Sequence, residues 1–130
     1  MPSSPRISIV FAVGGGISGV VLGALGAHAL QPALMAAGTA AIWQTAVQYH
    51  LLHSVALLVV ATGAGAPNSG YRWQAWSTGL FGAGLVLFSG SLYLLALGGP
   101  KWLAHCAPFG GLCFITGWLA AGLWLWRRYA

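Results

Sequence analysis

The sequence predicts an all-α fold, an integral membrane bundle of four transmembrane helices joined by short loops, in a single domain over residues 1–130. Only 4% of the residues are charged and none is aspartate or glutamate, whereas about a quarter of a soluble domain is charged. Four apolar stretches are long enough to cross about 30 Å of hydrocarbon, which takes about 20 helical residues. We therefore expect the lipid bilayer to surround most of the chain.

The first span, about residues 7–27, carries glycines at four-residue spacing. They are Gly15, Gly19 and Gly23, with Gly26 beside them. Because glycine lets a neighbouring backbone approach closely, this row predicts helix packing, either within the bundle or between protomers. Ala27-His28-Ala29 resembles a signal-peptide cleavage site, but the apolar stretch is longer than a usual signal core, so we expect no cleavage.

The prolines agree with the loops between the spans. Each lies in a gap or in the first turn of a helix, where the missing N–H costs least. They are Pro2, Pro5, Pro32, Pro67, Pro100 and Pro108. After Pro32, residues 33–37 are expected to form a short interfacial helix.

The second span, about residues 42–62, holds most of the intramembrane polarity. Helical spacing places its polar side chains in three rows. The rows are Thr45, Tyr49 and His53; His50 and Ser54; and Gln44 and Gln48. An ionisable group inside a membrane indicates a functional site by default, and three interpretations stay open.

The first interpretation is a metal site, in which His50 and His53 share an ion completed by His28, His105 or Cys106. It would suit zinc or copper, but carboxylates and strong zinc-ligand spacing are absent. The second is a proton or solute path, in which a charged imidazole would lack a counter-charge. The third, which we favour, is hydrogen bonding that fixes the register of the helices at about 1 kcal/mol or less per bond. We expect no cofactor and no bound metal.

The third and fourth spans cover about residues 76–97 and 108–126. Both carry small residues that we expect at helix contacts, namely Gly90, Gly110, Gly111 and Gly117. The third span also adds Ser89, Ser91 and Tyr93 to the intramembrane polar cluster.

The basic residues predict the orientation of the chain. Four spans place both termini and the middle loop on one side. That side holds Arg6, Arg72, Arg127 and Arg128, and the other holds Lys101. The excess of arginine predicts that both termini are cytoplasmic. These charges do not form the basic stripe of a nucleic-acid-binding surface, so no nucleic acid is expected as a partner.

Four stretches together resemble a known family. They are Gly23–Leu30, Trp43–His50 with His53, Leu87–Tyr93, and Pro108–Gly111 with Gly117-Trp118. In this order and spacing they are similar to domain-of-unknown-function family 423 (DUF423), small multi-span membrane proteins of bacteria with mitochondrial relatives. The resemblance implies the fold and a bacterial inner (plasma) membrane location, and it implies no activity. Family members often carry an acidic residue where this chain has Gln44, whose amide can still donate and accept hydrogen bonds.

Three functions follow as hypotheses. The first is a non-enzymatic accessory or interaction subunit of a larger membrane complex, or a small homo-oligomer, packed through its glycine-rich helix faces. The second is a channel or carrier for a small solute, a proton or a metal ion. Its lining would be Tyr49, His50, His53, Ser89, Ser91 and Tyr93. An enzyme is the least favoured, because the chain has no acidic side chain for acid–base chemistry and no GxSxG nucleophile motif.

Overall fold

The structure, a computed structural model, describes residues 5–63 and 70–130. Every regular element in these ranges is a helix, and none of the described residues forms a strand. Four helical segments are long and apolar enough to cross a membrane, which confirms the predicted four-span, all-α bundle. They are Pro5–Ala27, Ala40–Thr62, Tyr71–Ala96 and Lys101–Tyr129. Pro2 and Pro67, which were predicted to lie outside the spans, fall outside the described residues.

The first half of the chain contains two long helices joined by a short one. These are α1 (Pro5–Ala27), α2 (Gln31–Ala37) and α3 (Ala40–Thr62). The short helix expected after Pro32 is present. It begins at Gln31, so Pro32 lies in its first turn, where proline is well tolerated. It ends at Gly38, whose φ of 69° is left-handed and therefore favours glycine.

The third span is not one regular helix. It consists of α4 (Tyr71–Gly84), a π-helical segment (Leu85–Gly90) and α5 (Ser91–Ala96). A π turn has i→i+5 hydrogen bonds and so holds one more residue than an α turn. The apolar pattern that predicted the span contains no signal for this change of pitch.

The fourth span begins with a 3₁₀ turn, Lys101–His105, and continues as α6 (Cys106–Tyr129). Pro108 lies in the first turn of α6, as expected. The helix extends to Tyr129, beyond residue 126 where the predicted span ends. The prediction covered only the apolar residues, whereas the last turn of the helix also contains Arg127 and Arg128.

The centre of the bundle is formed by α3 and the third span. α1 packs along α3, α6 packs along α4 and the π segment, and α3 also contacts all three parts of the third span. Phe81 and Leu57 are buried in one apolar cluster, and Ala46 in a second. Large apolar side chains such as Leu119, which is 64% exposed, cover the outside. That outer surface is suited to lipid.

The glycine row of α1 packs inside the chain, against α3. A Cβ atom added at Gly15 would lie 2.5 Å from Ser54 Oγ, and one added at Gly19 would lie 2.7 Å from Leu51 Cδ2. Gly23 and Gly26 likewise face Val47 and the Trp43 indole. The glycine row therefore packs within the bundle, which is one of the two kinds of contact predicted for it.

The glycines of the other spans differ in how closely they pack. An added Cβ at Gly110 would collide with the backbone nitrogen of Phe88, and one at Gly117 would lie 2.8 Å from the Phe81 ring. Gly111 would meet only the Phe88 ring, at 3.9 Å, and Gly90 only a carbonyl of its own span, at 4.0 Å. Close packing therefore requires glycine at the first two positions, but it does not at Gly111 and Gly90.

Candidate functional site

His50 connects three helices by hydrogen bonds. Its Nδ1 lies 3.0 Å from the Tyr93 hydroxyl on α5, and its Nε2 lies 3.2 Å from Ser18 Oγ on α1. The Ser18 hydroxyl donates its one hydrogen to the Gly14 carbonyl at 2.8 Å, so its oxygen accepts from His50. A neutral His50 ring therefore carries its proton on Nε2 and accepts the Tyr93 hydroxyl at Nδ1.

His53 carries the opposite tautomer. Its Nδ1 lies 2.9 Å from the Tyr49 carbonyl oxygen, which can only accept, so Nδ1 holds the proton. Its Nε2 then accepts the indole N–H of Trp118 on α6, at 3.2 Å. The Phe114 ring stacks on the imidazole at a centroid distance of 3.6 Å. Both nitrogens of this buried ring are thus used within the bundle.

The same hydrogen bonds occupy the atoms that a metal ion would need. The lone pair of His50 accepts from Tyr93, and that of His53 accepts from Trp118. In the described part of the chain, no three histidine or cysteine side chains come together as a metal-binding group. His105, one of the predicted additional ligands, uses Nδ1 to bond the Trp102 carbonyl. The arrangement supports hydrogen bonding as the role of the two histidines.

The serine and threonine hydroxyl groups of the predicted cluster also have partners. Ser89 donates to the Ala46 carbonyl of α3 at 3.0 Å and so joins the third span to the second. Ser54, Ser91 and Thr45 each donate to a carbonyl of their own span. Every fully buried side-chain nitrogen or oxygen among the described residues has a hydrogen-bond partner. Among these hydroxyls, the one of Ser89 bonds another span, and this bond favours the interpretation that polar residues hold the helices in register.

Tyr49 belongs to this cluster through its ring. The ring centroid lies 4.6 Å from that of Phe88 and 5.7 Å from that of His53. The side chain is 41% exposed, and its hydroxyl has no hydrogen-bond partner among the described residues. The Tyr49 ring therefore packs against the rings of His53 and Phe88 at the outer surface of the bundle.

Two partners in this network were missed by the sequence reasoning. Ser18 lies within the glycine-rich part of α1, and Trp118 is the one tryptophan deep inside a predicted span. The depth of Trp118 was a usable signal, because a buried indole N–H needs an acceptor. Ser18 gave none, since a serine in a membrane helix commonly bonds its own backbone.

Gln44 and Gln48 lie apart from the interior network. Both are exposed on the side of α3 that faces α1 and α2. They border a groove of about 270 Å³, which Gln31 and Met35 of α2 also line. Neither Gln44 nor Gln48 has a hydrogen-bond partner among the described residues. The predicted cluster therefore divides into an interior hydrogen-bond network, the partly exposed Tyr49 beside it, and an outward-facing pair of amides.

This fold and this network define a small integral membrane protein whose four spans are joined by hydrogen bonds between helices. A family model described as "Protein of unknown function (DUF423)" matches residues 22–111. The chain belongs to this family, as its sequence motifs indicated.

The relatives of the chain are also named as membrane proteins. It is 39% identical over 113 residues to the UPF0382 inner membrane protein YgdD of Escherichia coli (strain K12), covering 87% of this chain and 84% of YgdD. It is 34% identical over 114 residues to the UPF0382 membrane protein SAB0533 of Staphylococcus aureus (strain bovine RF122 / ET3-1), covering 88% and 90%. No solved structure matches the chain.

Proposed function

We propose that this protein is a non-enzymatic subunit of the bacterial inner (plasma) membrane that associates with a second copy of itself through Gln44 and Gln48. The observation that carries the proposal is the pair of exposed amides without a partner among the described residues. The name of the E. coli relative, an inner membrane protein, supports the proposed location.

The energetic argument rests on where these amides lie. α3 begins at Ala40, so Gln48 lies about 12 Å along the helix at about 1.5 Å per residue. A polar amide in an apolar medium costs roughly 2–7 kcal/mol when it makes no hydrogen bond. In a bilayer, a neighbouring helix can supply the missing partner. Association would therefore remove a cost that the isolated chain carries.

A second copy is the partner that suits the chemistry of the amides. A glutamine amide both donates and accepts hydrogen bonds, so two identical patches related by a two-fold axis complement one another. A lipid phosphate only accepts hydrogen bonds and would leave the amide oxygens unpaired. Met35, which is 66% exposed at the groove, adds a flexible apolar side chain that can adapt to a partner.

The proposed contact surface differs from the glycine-rich helix faces that the sequence suggested. The glycine row of α1 is covered by α3, with Gly19 against Leu51 and Gly26 against the Trp43 indole. It is therefore not free to pack against another protomer. The groove between α1, α2 and α3 is the exposed surface beside it.

Cysteine crosslinking in native membranes tests the association. The two free cysteines, Cys106 and Cys113, are first replaced by alanine. Met35→Cys then places a thiol in the groove and keeps both amides, whereas Leu119→Cys places an equally exposed thiol on α6. We expect a disulfide-linked dimer only from Met35→Cys. Crosslinking of Met35→Cys to a different protein would contradict self-association.

Amide substitution tests the cause of the association. The double variant Gln44→Leu/Gln48→Leu should lower the dimer fraction, measured by single-molecule photobleaching in nanodiscs. Thr45→Val is the matched control, because the Thr45 hydroxyl bonds the Ala41 carbonyl of its own helix. An unchanged dimer fraction in the double variant would sink the proposal.

The channel or carrier hypothesis stays a prediction that no contact favours. The hydrogen-bonding groups of its lining residues His50, His53 and Ser89 already bond within the bundle. Flux measurements in proteoliposomes test it directly. A solute flux that His50→Ala and His53→Ala abolish would restore this hypothesis.

A further inference from the structure

The C-terminal end of α6 holds two arginines in defined positions. The Arg128 Nη1 donates to the Gly63 carbonyl at 2.5 Å, and its guanidinium carbon lies 5.7 Å from the centre of the Trp124 ring. The Arg127 guanidinium lies 5.9 Å from the centre of the Trp73 ring on α4. Stacking on tryptophan orients a guanidinium without neutralising its charge.

No acidic side chain of the protein balances the charges of these arginines. The chain has no aspartate or glutamate, so no side-chain carboxylate can pair with them. Arg127 makes no hydrogen bond to a described residue, and Arg128 uses one of its five N–H donors on Gly63. Arg72 is the chain neighbour of Trp73 and adds a further positive charge to the same end of the bundle. An anion at this end would relieve the repulsion among these charges.

We propose that Arg127, with Arg128 and Arg72, binds the phosphate of an anionic phospholipid. The arginines lie in the first turn of the third span and in the last turn of the fourth, where lipid headgroups meet the protein. Exposed tyrosines are their chain neighbours, Tyr71 at 47% before Arg72 and Tyr129 at 82% after Arg128, as is typical of the membrane interface. A guanidinium binds phosphate through two parallel hydrogen bonds, which Arg127 has free. This site is independent of the association through Gln44 and Gln48.

The opposite end of the bundle provides a built-in comparison. Lys101 is the one basic residue of the predicted outer loops, and it is exposed. No described residue forms a hydrogen bond or aromatic contact with its side chain. A single unsupported ammonium should bind a phosphate more weakly than three guanidiniums, two of which are oriented by tryptophan.

Native mass spectrometry from detergent tests the proposal with dioleoyl phosphatidylglycerol as the anionic probe and dioleoyl phosphatidylcholine as the zwitterionic one. We expect the wild-type protein to retain phosphatidylglycerol preferentially. Arg127→Gln should weaken that binding roughly fivefold or more, because a basic residue near a membrane surface is worth about 1 kcal/mol of attraction to anionic lipid. Lys101→Gln should leave it unchanged. Equal retention by Arg127→Gln and the wild type would overturn the proposal.

Two further measurements separate phospholipid binding from a loss of fold and from binding of a soluble anion. Arg127→Gln removes no hydrogen bond to a described residue, so the fold is expected to survive, and Arg127→Lys should recover part of the binding through its charge. Soluble glycerol phosphate is added as a competitor. Displacement of the lipid by millimolar glycerol phosphate would show a site for a soluble anion and would overturn the assignment to a phospholipid.

Discussion

The two histidines of α3 are three positions apart, yet they hold their protons on different nitrogens. His50 donates from Nε2 to Ser18, and His53 donates from Nδ1 to the Tyr49 carbonyl. Their remaining nitrogens accept from Tyr93 and Trp118, which lie on other spans. A tautomer is set by such partners, so neither the residue type nor its spacing determines it.

Glycine substitutions on α6 provide the residue-scale prediction. Gly110→Ala should destabilise the protein by about 1–3 kcal/mol, because the new methyl group would collide with the Phe88 backbone and overpack the contact. Gly122→Ala is the matched control on the same helix. No atom lies within 4 Å of the Cβ that it would add, and alanine is about 1 kcal/mol better than glycine in a helix interior.

Thermal unfolding in detergent, followed by circular dichroism, measures both variants. We expect a lower midpoint for Gly110→Ala and an unchanged or higher midpoint for Gly122→Ala. Equal midpoints would mean that the approach of α6 to the π segment is not as close as the structure describes.

At the scale of the element, the π segment determines which side chains of the third span face α3. Leu85–Gly90 holds one residue more than an α-helical turn would, so the helix after it is rotated relative to a continuous α-helix. Within the segment, Ser89 reaches the Ala46 carbonyl, and beyond it Tyr93 reaches His50. The change of pitch thus allows a polar group within the segment and one beyond it to meet the same helix.

Single-residue deletions test this role of the π segment. Deleting Val86, which is 61% exposed, should convert the segment to α-helix while α4 and α5 keep their faces toward α3. Deleting Leu119, which is 64% exposed in the regular part of α6, should rotate Trp124 and Arg128 by about 100° away from their contacts. We expect the first variant to fold with reduced stability and the second to fail to fold.

Size-exclusion chromatography in mild detergent distinguishes these outcomes. The Val86 deletion should elute as a monodisperse peak, and the Leu119 deletion should aggregate. If both deletions aggregate, the extra residue is not confined to the Leu85–Gly90 turn.

For the whole molecule, the four candidate spans of the described residues would place the two termini on the same side of the membrane. Four of the five basic residues belong to that side in this topology. Positively charged segments are retained in the cytoplasm, so we predict cytoplasmic termini and an outward-facing first loop.

Reporter fusions in a bacterial host measure this orientation. Green fluorescent protein fused after Ala130 should fluoresce, since it folds in the cytoplasm. Alkaline phosphatase fused after Gly38, in the loop between α2 and α3, should be active because it requires the outer side. Activity of alkaline phosphatase at Ala130 with none at Gly38 would reverse the predicted orientation.

The sequence alone determined that a lipid bilayer surrounds most of this protein, how many spans it has and the family to which it belongs. Each span must be long and apolar on its own account, because hydrocarbon offers no partner for polar groups, so composition and length suffice to locate it. The prolines and the glycine row of α1 were also informative, because their effects arise within one helix or at its surface.

Only the tertiary structure decided which polar groups meet. The glycine row contacts α3, His50 and His53 bond different spans, and Gln44 and Gln48 are left facing an open groove. These outcomes depend on how each helix is rotated and tilted against its neighbours. Within a membrane the apolar face of a helix can meet lipid or protein at nearly equal cost, so the pattern of one span does not fix that rotation, and close packing and interhelical hydrogen bonds do.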